Sequence, residues 1–420
     1  MEDQAAFTFA TNVICIIGLI VAYFGAETAA QFPLENLLYP QRFFAAYRPR
    51  RALVVGLLLP MGGPLSKVAL DALDGMFTQG LFVGPLVGHM LDTIFFCRSN
   101  WTYTLHGHGH GYAPHSESVR NCIWVRALCR ISVSVLGAGR DRVTTVKTEK
   151  DTAITRQNSP TRSQTFVTHL TLAHPSPGHR SFQDTPLVSE DAGSPSRHVF
   201  LAIVTAEATA ILTAAGIWSL YRSVWAALWL IPLLLRLVSA FFALDREPAL
   251  DLSLSLGETP RNFEIHCPES LGGFLLITGP PSLVLQFFRH YGHPIRNRCR
   301  EVVQFLTVAA LGCFFPISIF CFVAWMPAHI QYVWLCYQTY IVAAMCVGRY
   351  SLARFSTTTE SRIGELLAPR PDTAQEQTIL FGQARDGLGT VRASAETTYF
   401  RRYEEGRNFM QQLLHQSEAK

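Results

Sequence analysis

Four ionisable residues, His89, Asp92, Glu207 and Arg236, interrupt otherwise apolar stretches of the sequence. A charge within the hydrocarbon of a bilayer is costly, so such residues usually face a partner or a water-filled cavity. With a helical rise of ~1.5 Å per residue, counted from turns near residues 75 and 220, all four fall in one layer of the bilayer. Glu207 and Arg236 lie on adjacent antiparallel helices and are placed to pair. The layer predicts cation binding or a proton relay through His89 and Asp92; the alternative is a structural ion pair with two residues that reach the cytosolic face.

A histidine-rich segment, with His106, His108 and His110 separated by single glycines, offers a second chemistry. Imidazoles bind zinc, copper or nickel, and the glycine spacers let alternate rings converge. A short histidine-rich loop between spans resembles those of cation-diffusion-facilitator and ZIP-type metal transporters, which implies metal transport. Those families also place paired metal ligands inside their spans. Here His89-x-x-Asp92 is the nearest such motif and a second is absent, so a low-complexity histidine run is the alternative.

The composition narrows the class of protein. Hydrophobic residues make up 49% of the chain and charged residues 16%, against about 25% charged residues in soluble proteins. The ten cysteines form no C-x-x-C pair, so neither structural zinc nor thioredoxin-type chemistry is indicated. The net charge of +4 is too small and too dispersed to indicate a nucleic-acid partner. The sequence has no Walker lysine loop, G-x-S-x-G or H-E-x-x-H motif, so we expect no cofactor and lean against an enzyme.

The apolar windows predict an all-α multi-pass transmembrane protein with about seven spans, with six or eight as alternatives. The N-terminus is expected outside and the C-terminus inside, because the arginine-rich segments 42–51 and 349–407 should face the cytosol. The prolines and glycines of 60–64 should kink or break the second span. The predicted spans are residues 7–25, 52–73, 76–97, 199–218, 222–244 and a pair within 302–348 that turns at 326–329.

The remaining segments are assigned to the cytosol, with small mixed α/β elements. Residues 98–198 are rich in Ser, Pro and His and predict a largely disordered loop; within it, 122–137 is an apolar helix on the membrane face or a loosely ordered stretch. In the connection 245–301, residues 271–288 indicate a small hairpin or a re-entrant segment, with a true span as the alternative. The tail, 349–420, should hold a β-hairpin around Asp386-Gly387 and an amphipathic helix over 397–416.

Three functions remain open at this point. The first is transport of a small solute or ion through the layer of four ionisable residues. The second is a receptor-like or scaffolding protein that signals to a cytosolic protein partner through its loop and tail; its topology resembles that of G-protein-coupled receptors, although their motifs are missing. The third is a membrane-bound lipid-modifying enzyme, indicated by His290 and His293 beside aromatic and arginine side chains. The lipid bilayer is a partner in all three.

Overall fold

The structure is a computed structural model. The residues that it describes are 16–28, 32–44, 47–77, 101–106, 115–119, 121–138, 165–175, 185–249, 257–266, 273–289, 291–292, 294–355, 358–368, 377–382 and 390–418. They fall into two compact units: a helical unit, from residues 1–95, 191–246 and 293–358, and an α/β unit, from residues 96–190, 247–292 and 359–420.

The described helices are, in chain order, α1 Ile16–Thr28, α2 Phe32–Leu38, α3 Pro40–Phe44, α4 Ala52–Leu58, α5 Ser66–Met76, α6 Ile123–Ala138, α7 Arg197–Ala206, α8 Ala208–Tyr221, α9 Ile231–Phe241, α10 Pro281–Arg289, α11 Arg298–Ala324, α12 Ala328–Phe355, α13 Thr359–Leu367 and α14 Tyr403–Glu418. Short 3₁₀ helices cover Pro49–Arg51 and Val224–Leu230. The strands are β1 Thr102–His106, β2 His115–Ser118, β3 Thr165–Ala173, β4 Leu187–Ser189, β5 Arg261–His266, β6 Gly273–Gly279, β7 Gln377–Gly382 and β8 Val391–Phe400.

Within the described residues, three helical segments are long and apolar enough to cross a membrane: Val224–Phe241, Arg298–Ala324 and Ala328–Arg349. A fourth is added if α7 and α8, which meet at an angle of 56°, form one broken span. The expectation of seven spans is therefore not supported. The predicted span 52–73 divides into α4 and α5, each too short to cross, and most of the predicted span 76–97 lies outside the described residues.

The helix interruptions have local causes. Pro60 and Pro64 lack backbone donors, and the glycines between them carry no side chain to pack, so the helix ends at Leu58 and resumes at Ser66. Between α7 and α8, the Thr205 hydroxyl donates to the Leu201 carbonyl at 2.8 Å, a type of bond that often bends helices. The long helix α11 begins at a cap in which the Asn297 side chain accepts from the backbone N–H of Arg300 at 3.3 Å.

The α/β unit is built on one eight-stranded sheet, in the order β2-β1-β5-β6-β3-β8-β7-β4. The pairs β3/β6 and β4/β7 are parallel and the other five are antiparallel. The sheet is larger than the small elements that the sequence indicated. Strands β1 to β4 come from residues 98–198, the connection that was expected to be largely disordered. Strand β3 explains the difference, because Phe166, Leu170 and Leu172 alternate toward one buried face within a stretch whose overall composition is polar.

Helices cover both faces of this sheet. The main core lies on one face, where side chains of α6, α10 and α13 pack on the strands and Trp124 stacks edge-to-face on Phe287 and Phe381. The described side chains of 122–131 thus lie mostly buried against the sheet, so the expectation of a helix that turns its apolar side to a membrane face is not supported there. On the opposite face, Met410 of α14 packs on Val167 and Leu276.

Two further segments also pack in this unit. Residues 271–288 are neither a hairpin nor a re-entrant segment: GFLLI lies in strand β6, and SLVLQFF lies in helix α10. In the tail, β7 and β8 pair as an antiparallel hairpin whose turn lies outside the described residues. The final helix starts at Tyr403, later than the sequence indicated, because residues 397–400 extend β8.

Candidate functional site

An ion pair lies at the centre of the helical unit. Arg236 Nη1 donates to Glu207 Oε1 at 2.7 Å, and the two side chains are 1% and 0% exposed. The same Nη1 reaches the Leu59 carbonyl at 3.0 Å, and Nη2 donates to Asn36 Oδ1 at 3.1 Å. The backbone N–H of Met61 donates to Glu207 Oε1 at 3.0 Å. Both charges are therefore paired and held by further hydrogen bonds, as buried charges require.

The ion pair lies where the helices are interrupted. Glu207 is the residue between α7 and α8, and Arg236 projects from the middle of α9. Leu59 and Met61 belong to the break between α4 and α5, which frees backbone carbonyl and N–H groups from their helical partners. The Glu207–Arg236 pair satisfies two of these freed groups, so the charges and the break depend on each other.

A second polar layer lies one helical turn away along α9. Ser239 Oγ donates to the Leu37 carbonyl at 2.6 Å and lies 2.8 Å from Gln304 Oε1. Gln304 Nε2 donates to the Ser239 and Phe242 carbonyls at 2.8 and 2.9 Å. These buried groups join α2, α9 and α11 beside the ion pair.

A small pocket lies next to the break between α4 and α5. Its empty volume, open mouth included, is about 220 Å³. Gln338 donates its side-chain amide to the Gly62 carbonyl at 3.0 Å, which fixes the orientation of that side chain. The pocket is lined by Gly62, Leu228, Trp229, Pro232, Phe314, Trp334, Tyr337 and Gln338.

Several buried polar atoms of this region have no hydrogen-bond partner among the described residues. They are Trp229 Nε1, Tyr337 Oη and Gln338 Oε1 in the pocket, and Glu207 Oε2 and Arg236 Nε in the ion pair. A buried donor or acceptor without a partner costs about 1–3 kcal/mol, so five such atoms in one region call for an explanation. We call the Glu207–Arg236 pair together with the adjacent pocket the buried polar centre.

Of the other residues that the sequence indicated, His106 alone lies in the described part of the chain. His89, Asp92, His108 and His110 lie outside the described residues. His106 belongs to β1 in the α/β unit, where its Nε2 donates to Glu264 Oε2 at 3.0 Å, and this bond lowers the pKa of the Glu264 carboxyl. Within the described part of the chain, no cluster of three or more His, Cys, Asp or Glu side chains is arranged to hold a metal.

The sequence indicated the two charges of the centre but not their neighbours. Asn36, Trp229 and Gln338 stand in ordinary apolar or amphipathic stretches, and no spacing links them to Glu207. The Pro60–Pro64 break was the one available signal, since irregular backbone between apolar helices often lines a site.

The described residues define a class of protein: a mostly helical chain with three candidate membrane-spanning helices and a mixed sheet. Comparisons with protein-family models, with curated proteins and with solved structures find no match.

Proposed function

We propose that the chain is an integral membrane protein that moves a small solute across the bilayer through the buried polar centre. The observation that carries this proposal is the group of unpartnered polar atoms at Glu207, Arg236, Trp229 and Gln338. In a bilayer these atoms find no lipid partner. A hydrogen-bonding solute or water that enters the centre would satisfy them.

The helix interruptions support the same proposal. Transporters commonly bind their substrates between discontinuous helices, where unwound backbone faces the site. Here the α4–α5 break and the α7–α8 bend both contact the Glu207–Arg236 pair. Gly63 packs tightly against α12, with an ideal Cβ only 2.7 Å from Ile341 Cγ2. The break is therefore packed closely against α12 beside the pocket.

Cysteine accessibility tests whether the centre is hydrated. Single cysteines at Gln338 and Trp229, in an otherwise cysteine-free full-length chain, are treated in native membranes with a membrane-impermeant thiol reagent. Leu212→Cys is the matched control on the outer face of α8, where the side chain is 71% exposed and would face lipid. Leu220→Cys, 77% exposed at the end of α8, is the positive control.

We expect positions 338 and 229 to react at least about tenfold faster than position 212. If both react no faster than position 212 while position 220 reacts readily, the centre is dry and the transport proposal is wrong.

A receptor-like or scaffolding role is the second candidate, and the α/β unit favours it. Among its described residues, this unit has its own core of 29 buried hydrophobic residues on one sheet face, as expected of a unit that folds around a core of its own. The full saturation of Glu207 Oε1 and the 0% exposure of its side chain are also what a structural ion pair would show. If positions 229 and 338 react no faster than position 212, the receptor-like or scaffolding role therefore becomes the proposed function.

A further inference from the structure

The charge balance of the buried polar centre restricts what it can hold. Glu207 and Arg236 neutralise each other at 2.7 Å. None of the eight pocket-lining residues is ionisable near neutral pH. An ion in this pocket would therefore be an uncompensated charge among apolar side chains, which is strongly unfavourable.

Aromatic rings alone do not make the pocket a cation site. Trp229, Trp334, Phe314 and Tyr337 line it, and aromatic faces attract ammonium groups. However, the unpartnered group of Trp229 is its indole N–H, which is only a donor, and it requires an acceptor. A simple ammonium ion has no acceptor to offer and would leave this N–H unsatisfied.

The hydrogen-bonding groups instead require a molecule with both functions. Trp229 Nε1 supplies a donor and Gln338 Oε1 supplies an acceptor, and both side chains are at least nine-tenths buried. Because the amide nitrogen of Gln338 already donates to Gly62, its oxygen is held in place as the acceptor. A wholly apolar occupant would leave both groups unpaired, which is costly.

The volume limits the size of the occupant. Most of the empty space of about 220 Å³ belongs to the open mouth, and the space open to the centre of a water-sized molecule is about 10 Å³. A single water molecule needs about that much, so only an occupant of about the size of water fits.

We propose that the pocket takes a small uncharged solute that carries both hydrogen-bond donors and acceptors and is of the size of water. The assignment rests on the proposed transport function and names its substrate class. Trp229 and Gln338 recognise the solute, and the neutral Glu207–Arg236 pair keeps ions out.

Flux through reconstituted liposomes tests this assignment. Full-length protein in liposomes is mixed rapidly with hyperosmotic urea or glycerol, and light scattering records the rates of shrinkage and reswelling. Parallel samples record potassium and chloride flux with entrapped fluorescent indicators. We expect water to cross about fivefold faster than in protein-free liposomes, with urea, glycerol and ion flux at the background level.

Two substitutions then assign the flux to the pocket. Gln338→Leu removes the acceptor and Trp229→Phe removes the donor, and each should lower the flux about fivefold or more. Leu212→Met, on the exposed face of α8, is the control and should leave it unchanged. Gln338→Leu also loses the hydrogen bond to the Gly62 carbonyl, so each variant must give a monodisperse size-exclusion profile. Trp229→Phe leaves that bond in place and tests the role of the pocket independently.

The outcomes separate this inference from the proposed function. Potassium or chloride flux without solute flux would overturn the substrate class and leave transport standing. No flux of either kind, with positions 229 and 338 labelled by the thiol reagent, would overturn the assigned class in a centre that is nevertheless hydrated. No flux with unlabelled positions would overturn both.

Discussion

Replacing Arg236 by methionine removes one charge of the buried pair and tests how the centre is held together. The change leaves the Glu207 carboxylate, 0% exposed, with the Met61 N–H as its remaining donor. It also takes the donor away from Leu59 and Asn36. Removing one partner of a buried ion pair costs about 3–5 kcal/mol. At about 2–4 °C per kcal/mol for a unit of this size, the melting temperature should fall by about 6–20 °C.

The double variant Glu207→Leu/Arg236→Met gives the decisive comparison. An apolar pair of similar volume often restores the stability of a buried ion pair, so the double variant should melt well above Arg236→Met alone. Tryptophan fluorescence of the solubilised full-length protein reports melting, because Trp229 and Trp334 lie near the centre. Arg296→Met, at an exposed arginine of the same unit, is the matched control and should change little. If the melting temperature of the double variant falls by the sum of the changes in Arg236→Met alone and Glu207→Leu alone, the two residues are not coupled and the ion pair is refuted.

Three further predictions concern close packing and pH. Gly406→Val should lower the stability of the α/β unit by about 1–3 kcal/mol, because even a Cβ at this position of α14 would lie 2.9 Å from Thr165 Cγ2; hydrogen exchange of the sheet amides would show faster opening. Gly312→Val should lower the melting temperature of the helical unit, since the added Cβ would meet α5 at 2.9 Å, whereas Gly216→Val, with open space around it, should not; equal melting of the two variants would contradict the α5–α11 contact. The hydrogen bond from His106 lowers the pKa of the Glu264 carboxyl from its usual 4.5. This carboxylate therefore contributes stability above pH 4.5, and the contribution is lost as the pH falls through the lower pKa of the folded state. Glu264→Gln should remove this loss at acid pH from the profile of melting temperature against pH.

The sequence was informative where a periodic or charge-free pattern is uninterrupted. The charge-free stretch 302–348 indicated two helices with a turn at 326–329, and the structure ends α11 at Ala324 and begins α12 at Ala328. The strand pair around Asp386-Gly387 was indicated by two alternating segments on either side of a turn dipeptide, and it is present as β7 and β8. Local rules suffice in both cases, because neighbouring residues determine the element.

The sequence misled where an apolar segment has two possible partners. Residues 122–137 and 271–288 are apolar enough for a membrane surface or interior, and hydropathy alone does not distinguish lipid from a sheet as the covering surface. The strands that cover them come from four separated segments of the chain. A similar limit applies to the centre: Asn36 and Arg236 are 200 residues apart, so only the folded helical unit brings them together.

The arrangement of the centre also bears on why it is charged. If the ion pair served only to hold the helices, an apolar pair would do so without the desolvation cost and without leaving Glu207 Oε2 and Arg236 Nε unpartnered. A polar occupant lowers the cost of a charged pair, because it forms hydrogen bonds with the unpartnered atoms of the pair and of the pocket. Those hydrogen bonds are lost when the occupant leaves. At the α4–α5 break, the Leu59 carbonyl and the Met61 N–H are bound by the side chains of Arg236 and Glu207 and not by helical backbone partners. Retaining charge at this position is therefore consistent with a centre that opens, and the accessibility of positions 229 and 338 decides between that and a permanently closed one.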